Sequence, residues 1–327
     1  MKTMAIPQLY YPFESQLNPN VLKVKEHNDN WVIRLKLKDI NHLEEYYEEN
    51  YTYLMARFYP NAGYEKLCIA TDFIALLFLI DDQLDNPAQK NDIHKELAIK
   101  GFVERLMKIV KQEVSIYESE DHPILNALKD IWKRLILVAE EKCLISFVHE
   151  INNLFDVAIW ESENLTQNRI PKSEEYIEKR RYLSAANIAN NLIEFLEEIT
   201  LPVYLKNDPV IQELNKLSEI VIGISNDLFS LNKERMFDHT HNLVAILEHE
   251  KELDLEKSIC LAAEIHDSSV KKFIELSQHL PVCSEEESEE LKRYIKALEL
   301  QMIGNLEWSL NDTKRYQFTY QNSLING

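Results

Sequence analysis

Glycine is scarce, with 5 in a chain of 327 residues. That scarcity argues against glycine-rich phosphate loops, dinucleotide-binding turns and turn-rich all-β folds. Neither G-x-G-x-x-G nor G-x-x-x-x-G-K-[ST] occurs. The 4 cysteines (Cys68, Cys143, Cys260, Cys283) are scattered without a C-x-x-C. They read as reduced thiols of a cytoplasmic protein, not as a disulfide framework or a zinc site. Basic residues are outnumbered, 36 against 55 acidic, for a net charge of −19. A nucleic-acid partner is not expected on that balance. An anionic substrate would need cations or a local basic cluster. The apolar run "FIALLFLI" (73–80) is too short to cross a bilayer, so no stable membrane association is expected. The opening "MKTMAIPQLYYPF" lacks the apolar core of a signal peptide. Without one, the sequon Asn164-Leu165-Thr166 reads as chance. G-x-S-x-G is missing too, which leaves a serine hydrolase unsupported.

What is present is helical periodicity. "IKGFVERLMKIVKQE" and "EELKRYIKALELQMIGNLEW" repeat apolar residues at helical spacing with charges between them. Breakers fall at "YPNAG" (59–63), "DHP" (121–123), "RIPKSEE" (169–175), "TLP…NDP" (200–209) and "HLPVCSEEE" (279–287). In "PKSEE" and "CSEEESEE" a serine precedes acids that suit a helix start. About nine or ten long helices are expected, with no strand hairpin. The expectation is one all-α domain over 1–327, its helices around a central pair or cavity. The first ~35 residues and a tail at ~317–327 read as irregular.

The segment "FIALLFLIDDQLDN" drives an apolar run into Asp81, Asp82 and Asp85. On a helix Asp81 and Asp85 share a face, with Asp82 beside them. Carboxylates so gathered raise one another's pKa unless a cation is present, and an all-oxygen set favours Mg²⁺. A solvated acidic helix end is the plainer alternative. A second stretch, "NDLFSLNKE" (226–234), puts Asn226, Ser230 and Glu234 at i, i+4 and i+8. They drift only about 40° per step and form one stripe of oxygen donors, a second Mg²⁺ site. Asp227 lies off that stripe.

Together the two motifs resemble those of bacterial class I terpene synthases. The aspartate-rich motif is matched by Asp81, Asp82 and Asp85, and N-D-x-x-S-x-x-x-E by Asn226, Asp227, Ser230 and Glu234. The family's diphosphate-sensing arginine, 46 residues before the Asn, corresponds to Arg180. Its C-terminal Arg-Tyr pair corresponds to Arg315 and Tyr316 in "TKRYQF". The linker and helix-break positions after the sensor hold Leu183 and Ser184, where the family often has Gly at the second.

The resemblance implies an α-helical bundle around an apolar pocket. It implies a carbon–oxygen lyase, a terpene cyclase that ionises a prenyl diphosphate with Mg²⁺, three ions in the family. Arg180, Lys233, Arg315 and Tyr316 would bind diphosphate, and Ser184 would relay from the sensor. Diphosphate, a main-chain oxygen or a trapped water would end the reaction, the last giving an alcohol. Phe78 and Trp308 sit at spacings that suit aromatic faces toward a carbocation. The aliphatic run before the first motif leaves room for a C20 chain. Geranylgeranyl diphosphate is therefore set slightly ahead of farnesyl diphosphate. A chain-elongating prenyltransferase typically repeats the aspartate motif, and the Asn/Ser/Glu motif argues against it. A non-catalytic helical scaffold is the remaining alternative. A homodimer is left open. "FDHTHN" (Asp238, His239, His241) lacks a further spaced ligand for zinc and reads as a polar loop.

Overall fold

The structure, a computed structural model, describes residues 5–84, 93–235, 241–316 and 318–321. It is all-α apart from one pair of three-residue strands. The helices are α1 (Val21–Arg34), α2 (Leu43–Glu49), α3 (Tyr51–Phe58), α4 (Tyr64–Leu84) and α5 (Ile93–Val110). There follow α6 (Pro123–Val138), α7 (Glu141–Thr166), α8 (Ser173–Leu183), α9 (Ala186–Asn191) and α10 (Ile193–Leu196). The chain continues with α11 (Val203–Lys206), α12 (Pro209–Arg235), α13 (Leu243–Lys251), α14 (Leu255–Ser277) and α15 (Glu285–Glu307). A π-turn at Trp308–Asp312 ends α15. Among the described residues, ten helices have nine residues or more, in line with the periodicity, and none is long and apolar enough to cross a membrane.

The helix ends follow the breakers. Asn-Ala-Gly separates α3 from α4, and Pro123 opens α6. Ser284 caps α15 in a reciprocal capping box with Glu287. Ser173 instead lies inside α8, and its N–H is held by Glu250 at 3.0 Å.

Within the N-terminal ~35 residues, 8–20 lack regular structure as expected, but Val21–Arg34 form a helix, which corrects that part of the sequence expectation. Helix α1 buries Val21, Val24, Asn28, Trp31 and Val32 on one face. Its polar anchors hid it from a hydrophobicity pattern. His27 Nε2 and Asn28 Nδ2 meet the fully buried Asp72 of α4 at 2.8 and 2.7 Å. Trp31 Nε1 donates to Asp130 at 2.9 Å. Before α1, strand β1 (Ala5–Pro7) pairs in parallel with β2 (Thr319–Gln321), so part of the expected C-terminal tail is also ordered.

Helix α4 is buried nearly all round, through Leu67–Leu76 and again at Leu79 and Ile80. Only Leu77 and Phe78 keep partial exposure along its last apolar turns. It packs on α1, α3 and α6, while α12 packs on α8, α9, α14 and α15. The close approach of α8 to α12 depends on Gly223, where a Cβ would meet Arg180 Cγ at 3.0 Å. The C-terminal ends of α4 and α12, which carry the two motifs, come together at one mouth.

Candidate active site

Asp81 and Asp82 stand on the last turn of α4; Asp85 lies outside the described residues. Asp82 is the better enclosed of the two. Its Oδ1 accepts from Arg315 Nη2 at 2.7 Å and from Lys233 Nζ at 3.1 Å, and its Oδ2 from Arg315 Nη1 at 3.2 Å. Burial raises this carboxyl, but Arg315 and Lys233 outweigh it and hold the group down at about 2. Asp81 approaches Arg315 more loosely, at 3.9 Å.

On α12, Ser230 Oγ lies 2.6 Å from Glu234 Oε1 and 2.8 Å from Asn226 O, and its single proton is shared between these two acceptors. The i, i+4, i+8 stripe is therefore realised as a contiguous row. Burial, reinforced by nearby Asp227, pushes the Glu234 carboxyl up to about 7 against the pull of Arg180.

Arg180 lies at the end of α8, beside both residues that open the second motif. Its Nε donates to Asp227 Oδ1 at 2.6 Å and its Nη2 to Asn226 Oδ1 at 2.7 Å. Burial works against its charge, and Asp227 more than reverses that, so the guanidinium stays charged. Helix α8 ends where the family's break falls. Ser184 is its C-cap, and the next residue, Ala185, takes the left-handed conformation at φ 56°. The break is thus made by Ser184 and Ala185 without a glycine.

The C-terminal pair ties the two motifs together. Arg315 binds Asp82 of α4, while Tyr316 Oη accepts from Asn226 Nδ2 of α12 at 2.9 Å. Burial pushes the Tyr316 phenol up to about 12, so it keeps its proton. Arg315 is fixed from behind by Glu49 Oε1 and Tyr51 Oη, each at 3.0 Å, and Tyr51 donates in turn to Glu49.

Phe78 stacks on Tyr51 (centroids 4.3 Å, 16°), and the Arg315 guanidinium lies 5.1 Å from its ring centre. Trp308 joins the same aromatic group, its ring centre 5.9 Å from Phe78 and 5.7 Å from Tyr316. It is fully buried, and its indole N–H donates to Asn50 O at 2.9 Å and Glu49 O at 3.2 Å. It packs against the start of α3. His241 is buried against Trp160; Asp238 and His239 lie outside the described residues.

Among the described residues no three of His, Cys, Asp and Glu gather around one point. The second motif offers an amide, a hydroxyl and a single carboxylate, and the third acid of the first motif is not described. The donors are nonetheless all oxygen. This is the chemistry of a hard divalent cation.

Residues 72–272 match the model of terpene synthase family 2, C-terminal metal binding. The chain belongs to this terpene synthase family. Germacrene A synthase of Nostoc punctiforme is 28% identical over 309 residues, covering 94% of each chain. A (+)-T-muurolol synthase of Roseiflexus castenholzii, named as cyclising (2E,6E)-farnesyl diphosphate, is 29% identical over 96% of this chain and 94% of its own. Among solved structures, germacradien-4-ol synthase of Streptomyces citricolor superposes with a TM-score of 0.80. It is 22% identical and covers 92% of this chain and 97% of its own. A reconstructed ancestral protein, SVS_A2, gives 0.82 at 20% identity, covering 96% and 92%. These structures share the fold, and the family is one defined by metal binding.

Four residues escaped the sequence reading. Asp227, off the stripe, holds Arg180. Glu49 and Tyr51 lie far from any motif in "EENYTYLM" and carried no local signal. Asn242 precedes the apolar run "LVAIL", a helix-start signature that would have singled it out.

Proposed function

We propose that this chain is a Mg²⁺-dependent terpene cyclase that ionises farnesyl diphosphate and closes the resulting allyl cation to a sesquiterpene. Residues 1–327 act as one catalytic α domain. The observation that carries this reading is the consecutive Arg315–Tyr316 pair, which reaches Asp82 on one motif helix and Asn226 on the other. One mouth then combines both oxygen-donor sets with the cations an anionic head requires.

Asp81, Asp82 and Asp85 on one side, and Asn226, Ser230 and Glu234 on the other, would hold the metal. Bound Mg²⁺, three ions as in the family, supplies charge neutralisation that makes diphosphate a good leaving group. The protein's own donors share the task. Arg180 and Arg315 offer paired N–H groups to phosphate oxygens, Lys233 offers a point charge, and Tyr316 a retained O–H. Ser184, at the α8 break, links the sensor to the pocket. Leu77 and Phe78 give the mouth its apolar side, which keeps water from the cation.

The C15 substrate replaces the slight preference for C20. That preference rests on the aliphatic run before Asp81, of which Phe73–Leu76, Leu79 and Ile80 are buried. The names of the relatives point to C15.

The test is incubation with geranyl, farnesyl and geranylgeranyl diphosphate, with and without Mg²⁺, and gas chromatography–mass spectrometry of the extracts. A cyclic C15 product that needs Mg²⁺ is expected. A cyclic C20 product would overturn the substrate. A longer prenyl diphosphate from mixtures with isopentenyl diphosphate would replace the cyclase with an elongating transferase. No diphosphate release would leave a scaffold.

A further inference from the structure

We propose that Asn242 is a positioning residue for the second metal site, holding Glu234 in its ligating orientation. The inference rests on the metal-site reading above. Asn242 is 1% exposed and stands just before α13. Its Nδ2 donates to Glu234 Oε2 at 2.8 Å and to Asp227 O at 2.8 Å. Its Oδ1 accepts from Val244 N at 2.9 Å as the α13 N-cap.

The two halves of the amide do different work. Capping needs only an acceptor, and Asp or Ser would serve as well. An N–H₂ facing a carboxylate and a carbonyl is something only an amide that also caps can supply here. Glu234 is consequently pinned at both oxygens, Oε1 by Ser230 and Oε2 by Asn242. Oε1 is left on the side of the Ser230 hydroxyl. A flexible acid is thereby ordered before any cation arrives. Groups of this kind, one step behind the ligands, typically set metal affinity by 10- to 100-fold.

The start of α13 is itself anchored to the site. Leu243 N donates to Asp227 Oδ2 at 2.9 Å, and Tyr176 Oη to His241 O at 3.1 Å. Asp227 holds Arg180 through its other oxygen. The residues 241–243 therefore brace the sensor through Asp227 and the last motif position through Asn242.

The experiment separates cap from donor. Asn242→Ser and the isosteric Asn242→Asp keep the cap and lose the N–H₂. Binding of inorganic diphosphate with Mg²⁺ is measured by calorimetry, and melting temperature beside it. Asn242→Ser, the variant that isolates the donor, is expected to melt close to wild type, and Asn242→Asp lower because its buried carboxylate faces Glu234; both should need about 10- to 100-fold more Mg²⁺ for diphosphate binding. Asn242→Asp should be the weaker, since it adds a negative charge beside Glu234. Wild-type Mg²⁺ dependence in either folded variant would overturn the proposal. So would a loss in Asn242→Ser that merely follows a fall in melting temperature. Wild-type protein that binds no diphosphate with Mg²⁺ would instead overturn the metal-site reading, and this inference with it.

Discussion

At the scale of single residues, the contact that most constrains the site is Arg180 with Asp227. Their side chains are 14% and 1% exposed and meet at 2.6 Å. Asp227→Asn removes the charge and leaves a buried arginine without it. A loss of about 3 kcal/mol in denaturant unfolding is expected, with diphosphate release falling more steeply than stability explains. Unchanged turnover would remove Asp227 from the sensor. Glu219 gives a second residue-scale prediction. Burial raises its carboxyl to about 7 despite Arg181. The folded protein therefore holds that proton more tightly than the unfolded chain. Stability falls as pH rises from about 4.5 to about 7, by about 3 kcal/mol from this group. Glu219→Gln should flatten the decline between pH 5 and pH 8, and an unaltered decline would assign it elsewhere. The ligand candidates were legible in the sequence because helical period places Asn226, Ser230 and Glu234 in one row. The partners of Asp227, Glu49 and Asn242 were not. Their contacts join segments that only the folded chain brings together.

At the scale of elements, the approach of α8 to α12 places Arg180. Gly223→Ala places a Cβ against Arg180 Cγ at 3.0 Å. Arg180 should be displaced, and kcat should fall with little change in KM or melting temperature. An equal loss of kcat and melting temperature would make the contact one of packing. Strand β1 buttresses the other end. Ile6 is fully buried, Leu9 N bonds Tyr320 Oη at 2.9 Å, and β2 begins three residues after Tyr316. Ile6→Ala should cost about 2 kcal/mol and raise KM, because the Arg315–Tyr316 segment loses its support. A stability loss without a KM effect would separate the strand from the site. Most helices could be read from breakers and period. Helix α1 could not, because much of its docking is polar, through His27 and Asn28 to Asp72. The strands were hidden because three residues near one end pair with three near the other.

At the scale of the whole molecule, a chain of net charge −19 must receive an anion. On the proposed function it would do so with Arg180, Lys233 and Arg315, which three parts of the chain bring to the two motifs. The sequence motifs singled out Asp81, Asp82, Asn226, Ser230, Glu234 and those cations, which the fold brings near one another. They could not foretell that Trp308 is sealed in the core, which depends on how α15 ends against α3. The account's central claim is that the two motifs form a single catalytic unit joined by Arg315–Tyr316. The most direct test is the rate of diphosphate release from farnesyl diphosphate by Asp82→Ala, Asn226→Ala and the double variant, with Mg²⁺ saturating for wild type. Each single variant is expected to lose about 10³-fold or more, and the double variant little beyond that, as residues of one unit do. A single variant that keeps the wild-type rate, or losses that multiply in the double variant, would contradict the account.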